Sequence, residues 1–96
     1  MSAPALAGGV DFDLEAAWGL NPQVALRDEE FGALAYHYGT RRLVFLKSRL
    51  LVDLVRALDT HESAAAALDA VIEPGSRDRY VAALATLVPS EIINER

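Results

Sequence analysis

Between Val24 and Lys47 the apolar residues recur every second position, and from Ser48 onward they recur every third or fourth. The first rhythm is that of strands with two distinct faces and the second that of helices with one buried stripe. Val24-Ala25-Leu26-Arg27 alternates as a short strand, with Val24 and Leu26 on one face. The polar run Asp28-Glu29-Glu30 connects it to Gly32–Tyr38, which puts Leu34, Tyr36 and Tyr38 on one face and Ala33, Ala35 and His37 on the other. Gly39-Thr40 is read as a hairpin turn, with Gly39 supplying positive φ. Leu43–Lys47, rich in β-formers, closes a three-stranded antiparallel meander.

Ser48 is placed to cap a helix whose stripe is Leu51, Leu54, Val55 and Leu58. Asp59-Thr60 ends that helix, and Thr60 is expected to cap an alanine-rich second one running from His61 to about Val71, with Ala64, Ala67, Leu68 and Val71 inward. Pro74-Gly75 breaks the chain. Ser76 is expected to cap a third helix, Arg77 to Leu87, with Tyr80, Val81, Leu84 and Leu87 or Val88 inward, and Pro89 stops it. The order β-β-β-α-α-α predicts an α+β, winged-helix-like domain in which a three-stranded antiparallel sheet precedes a three-helix bundle.

The ends read differently. Met1 to Gly9 is rich in Ala, Gly and Pro, and residues 1–17 are expected to form a mobile arm before a domain over 18–88. Within Asp11–Leu20, Trp18 and Leu20 suit either a docking segment or a short helix. Residues 89–96 are expected to be a polar tail. The N-terminus lacks the basic start and long apolar run of a signal peptide, and no stretch reaches the roughly 18–20 apolar residues of a membrane span.

Charge narrows the partners. The 96 residues carry a net charge of −5, which disfavours nucleic acid and anionic membrane as partners. Yet the charge is uneven. Asp11, Asp13, Glu15, Asp28, Glu29 and Glu30 outweigh Arg27 in the first thirty residues, whereas Arg41, Arg42, Lys47, Arg49 and Arg56 outweigh Asp53 between 41 and 56. A basic patch on an acidic protein points to an acidic segment of another chain. Cysteine is absent, so disulfides, thiolate metal sites and iron–sulfur ligation are excluded, in keeping with a cytoplasmic protein.

Candidate catalysis is meagre. His37 and His61 are the only histidines, and neither stands in a metal-binding spacing. Asp11, Asp13 and Glu15 lack the glycine and spacing of a calcium loop. No serine lies in GxSxG, and no phosphate-binding glycine motif is present. The reading is therefore non-enzymatic, with no cofactor. What remains is a strand with apolar side chains bracketed by Arg41, Arg42 and Lys47. At a sheet edge, such a strand is a template for a guest peptide.

Several residues carry a family resemblance. Trp18, Leu20 and Pro22–Arg27, then Phe31–Leu34, Tyr36–Leu43 and Phe45–Ser48, closely resemble the peptide chaperones of mycofactocin biosynthesis, which belong to the PqqD-like precursor-peptide recognition domains. The likeness covers most of the chain, about Trp18 to Val88, and Tyr36–Ser48 is its specific part. The resemblance implies a domain that binds the leader of an acidic, ribosomally made precursor as an extra strand along its third strand, in a groove closed by its third helix. It also implies delivery to a radical S-adenosylmethionine maturase, which decarboxylates and cross-links a C-terminal Val-Tyr pair and carries the iron–sulfur clusters itself. On this mapping the binding residues are Arg41, Arg42, Leu43, Val44, Phe45, Leu46 and Lys47, with Tyr80 and Leu84 both packing the sheet and walling the groove. Two alternatives stand beside it: a winged-helix DNA-binding regulator, and a structural dimer paired through its own third strand.

Overall fold

The computed structural model describes residues 12–96. Met1–Gly9 and Asp11, read above as part of a mobile arm, lie outside them. The chain runs β1 (Trp18–Leu20), β2 (Val24–Glu29), β3 (Gly32–His37), β4 (Arg42–Leu46), α1 (Arg49–Leu58), α2 (Ala64–Val71), α3 (Arg77–Leu87) and β5 (Ile93–Glu95), with a 3-10 turn at Pro74–Ser76 before α3. It is an α+β fold in which an antiparallel meander, ordered β2-β3-β4, is followed by three helices.

The alternation predicted for the meander is the one observed. Ala33, Ala35 and His37 are buried under the helices, and Leu34 and Tyr36 face the other way. Register places Leu34 opposite Phe45 and Tyr36 opposite Leu43, so these four share the outer face. On the inner face, β3 packs against α1, whose buried stripe is Val52, Leu54, Val55 and Leu58. Ala64, Ala67 and Leu68 of α2 and Tyr80, Leu84 and Leu87 of α3 complete the core.

Capping chemistry sets the helix starts. Ser48 accepts from the Leu51 amide at 3.2 Å, as its position predicted. The second helix begins later than His61 because Ser63, not Thr60, accepts from the Ala66 amide, at 3.1 Å. Ser76 makes no side-chain cap to α3; the 3-10 turn introduced by Pro74 delivers the chain into the helix instead.

The hairpin turn between β3 and β4 also differs from its reading. Arg41, not Gly39, takes the positive φ, at 63°. The turn is held by the buried His37, whose Nδ1 accepts from the amides of Gly39 (3.0 Å) and Thr40 (3.1 Å). Glycine is required at Gly32, where φ is +150° and a Cβ would stand 2.0 Å from the Leu46 carbonyl oxygen.

The segments flanking the meander are more ordered than expected. Residues 12–17 are packed rather than mobile. Phe12 stacks on Trp18 with ring centroids 4.8 Å apart, and the carbonyls of Leu14 and Ala16 accept from the amides of Ala65 and Ala64. Trp18 and Leu20 belong to a strand, β1, which pairs antiparallel with β5 in a second, two-stranded sheet. The C-terminal residues are thus no polar tail. Ile92 and Ile93 are fully buried, and the Arg96 side chain donates to the carbonyls of Trp18, Leu58 and His61.

Candidate functional site

Strand β4 is an edge. Among the described residues only β3 pairs with it, so its other side presents unpaired backbone groups. Its burial runs exposed, exposed, half-buried, exposed, buried from Arg42 to Leu46. Leu43 and Phe45 are about half exposed, at 51% and 53%. Native edges are commonly blunted by charge, proline or a bulge; the centre of this one offers Leu43, Val44 and Phe45 instead.

Cations stand at both ends of the strand. Arg41 and Arg42 lie exposed at its start and Lys47 exposed just past its end. None of the three forms an ion pair among the described residues. Five residues of strand separate them by about 16 Å. The basic patch read from sequence is smaller than its composition, because Arg49 and Arg56 are both drawn to Asp28, at 3.4 and 3.2 Å. Those two pairs tie the start and the end of α1 to the tip of the β2–β3 hairpin.

A cleft of about 360 Å3 opens where β4 meets the helices, lined by Lys47, Ser48, Leu51, Arg79, Tyr80 and Ala83. Tyr80 is the hinge of this arrangement. Its ring is buried in the core, its hydroxyl lies 3.2 Å from Ser48 Oγ, and the Arg79 guanidinium sits 5.3 Å from its centroid. Helix α3 therefore closes one side of the cleft and the N-terminus of α1 the other.

The structure sorts the residues predicted for this site. Arg41, Arg42, Leu43, Val44, Phe45 and Lys47 lie along the edge, and Tyr80 lines the cleft beside it. Leu46 and Leu84 are fully buried, with their side chains in the core. Alternation turns Leu46 inward from Phe45, and the helical period puts Leu84 on the same buried face of α3 as Tyr80. Ser48, Leu51, Arg79 and Ala83 were not anticipated as lining. Arg79 and Ala83, four residues apart, share a helix face beside Tyr80, and that spacing was the available signal.

Other chemistry is sparse among the described residues. No cluster of three or more His, Asp or Glu side chains is arranged to hold a metal ion, and no helix is long and apolar enough to cross a membrane. The exposed positions of α2 are Asp69 and Ala70, which offer nothing to a phosphate backbone.

Comparison with known proteins bears on this geometry. Residues 17–94 match the family described as the peptide chaperone MftB family. The chain belongs to the peptide chaperone MftB family. It is 44% identical over 85 residues to a peptide chaperone MftB of Mycolicibacterium smegmatis, covering 88% of this chain and 83% of that protein. It is 42% identical over 98 residues to the peptide chaperone MftB of Mycobacterium tuberculosis, covering 98% and 90%. The Mycobacterium ulcerans protein of the same name is 41% identical over 92 residues, covering 95% and 84%. No solved structure matches the chain at a significant level. The family match reaches from just before β1 to Asn94 in β5, so it takes in all of β1 and all but the last residue of β5.

Proposed function

We propose that this protein is a non-catalytic, cytoplasmic adaptor that captures the leader of an acidic, ribosomally made precursor peptide as a fourth strand on β4 and delivers it to the radical S-adenosylmethionine maturase of mycofactocin biosynthesis. The observation that carries the reading is the unpaired edge from Arg42 to Leu46, apolar at its centre and cationic at both ends. A guest strand gains main-chain hydrogen bonds along such an edge, while its alternate side chains choose the register. Side chains turned toward the helices enter the cleft beside Tyr80; those turned outward lie next to Leu43 and Phe45. Arg41, Arg42 and Lys47 attract the acids of the guest.

Titration calorimetry with the acidic precursor peptide tests this. Phe45→Asp places a carboxylate on a half-exposed position, so the fold tolerates it. Peptide affinity should fall at least about tenfold, from the lost apolar contact and the added repulsion of an acidic guest. Wild-type affinity should rise as salt is lowered, because the cations are exposed and screened within about 10 Å at 0.1 M. A folded Phe45→Asp protein that binds the peptide as the wild type does, with no salt dependence, would remove the edge assignment.

A further inference from the structure

The cleft beside β4 is walled by hydrogen-bond donors and apolar groups, with no acid among its lining residues. Its two hydroxyls leave one proton over. Ser48 Oγ accepts from the Leu51 amide and lies 3.2 Å from the Tyr80 hydroxyl, so one hydroxyl of the pair donates to the other. The second hydroxyl proton has no acceptor among the described residues. Arg79 stands beside this pair and forms no ion pair among the described residues. Its guanidinium lies over the Tyr80 ring, 5.3 Å from the centroid. That contact holds the guanidinium at the cleft while its N–H groups stay free to donate. Leu51, Ala83 and the Tyr80 ring supply the apolar wall.

We propose that Arg79 and the Ser48–Tyr80 hydroxyl pair are specificity determinants, reading the carboxylate of one glutamate in the guest strand. The proposal rests on strand addition at β4, and the register then selects the guest residue. Val44 and Leu46 lie opposite the buried Ala35 and Ala33, whereas Leu43 and Phe45 belong to the other face. A guest residue beside Leu46 therefore turns its side chain toward the helices, at the end of β4 where Lys47 and Ser48 join the cleft wall. There an apolar stem runs along Leu51, Ala83 and the Tyr80 ring, and the terminal carboxylate meets the guanidinium and the spare hydroxyl proton. The parallel N–H groups of a guanidinium match the two oxygens of a carboxylate, a fit that neither an amide nor an apolar side chain reproduces. Aspartate, one methylene shorter, gains less from the apolar wall and reaches less far. Arg79 differs in this from Arg41 and Arg42, which stand exposed at the start of the strand. Those two attract acids by charge, whereas Arg79 acts at one register position. Lys47 adds a point charge at the same end but no fork.

The test is a set of double-mutant cycles by titration calorimetry. Wild type, Arg79→Gln and Arg79→Lys are each titrated with the acidic precursor peptide and with peptides in which every glutamate in turn is replaced by glutamine. Arg79 is exposed, so both variants leave the core untouched. The expected result is one glutamate whose replacement weakens wild-type binding at least about tenfold and Arg79→Gln binding less than about twofold. Arg79→Lys keeps the charge without the fork, so it should bind the parent peptide more weakly than the wild type while retaining its salt dependence. Wild-type affinity in a folded Arg79→Gln protein would overturn the proposal. So would a loss spread evenly over all the glutamates, which marks charge steering alone. A wild-type protein that does not bind the precursor, or a Phe45→Asp protein that binds it unchanged, removes the edge reading first. Edge binding that is intact but couples no glutamate to Arg79 removes the carboxylate pocket and leaves the edge standing.

Discussion

At the scale of single residues, His37 does more than its place in a strand suggests. It is 1% exposed; its Nδ1 accepts from two turn amides, and its Nε2 lies 3.3 Å from Asn21 Nδ2 and 3.8 Å from a Glu91 carboxylate oxygen. The imidazole therefore organises the turn that aims Arg41 and Arg42 at the start of the edge. His37→Ala opens a cavity and strips both amides of their acceptor, for a loss of about 2–3 kcal/mol by urea denaturation. The same variant should weaken precursor binding beyond what its stability loss explains, since the turn no longer fixes the two arginines. The sequence places His37 on one face of its strand, in no metal-binding spacing. The pattern marks the inward side of a strand but carries no sign that a ring nitrogen reaches two residues ahead. The turn was misassigned for a related reason: glycine permits positive φ, but the His37 bonds hold Gly39 and move the left-handed residue to Arg41.

At the scale of elements, the join between β4 and α1 decides the shape of the cleft. Ser48 caps α1 and also meets the Tyr80 hydroxyl at 3.2 Å, so one side chain starts a helix and fixes the distance to α3. Ser48→Ala should cost about 1 kcal/mol from the cap, and Tyr80→Phe about 0.5–1.5 kcal/mol from the hydroxyl. The double variant should cost less than the sum, because both remove the same bond; full additivity in chemical denaturation would deny the link. Elements with a strong period were legible. The faces of β3, the cap of α1 and the span of α3 follow from spacing alone; the α1 stripe does so except that Val52 is buried where Leu51 was expected, and Leu51 turns to the cleft. Strands β1 and β5 were not, because three residues are too few to show a period and Ile92-Ile93 sit among polar neighbours. Their pairing is long-range, Trp18 with Glu95 and Leu20 with Ile93, and no local rule reports it. The edge itself was legible as apolar and basic. That Leu46 and Leu84 serve the core, and that Asp28 takes up Arg49 and Arg56, required the packed chain.

At the scale of the whole molecule, the two sheets divide the labour. The pairing of β1 with β5, reinforced by Asn21 bonds to the Glu91 and Ile92 carbonyls and by Arg96, packs these two strands against α1 and, among the described residues, leaves the meander's far edge unpaired. The helices cover one face of the meander, so the β4 edge has a cleft on one side and the exposed Leu43 and Phe45 on the other. Amide hydrogen exchange, read residue by residue before and after adding the acidic precursor peptide, tests this most directly. New protection along Arg42–Leu46, with little change in α2 or in β1 and β5, is the predicted result. An edge whose amides exchange as fast with saturating peptide as without it would contradict strand addition at β4.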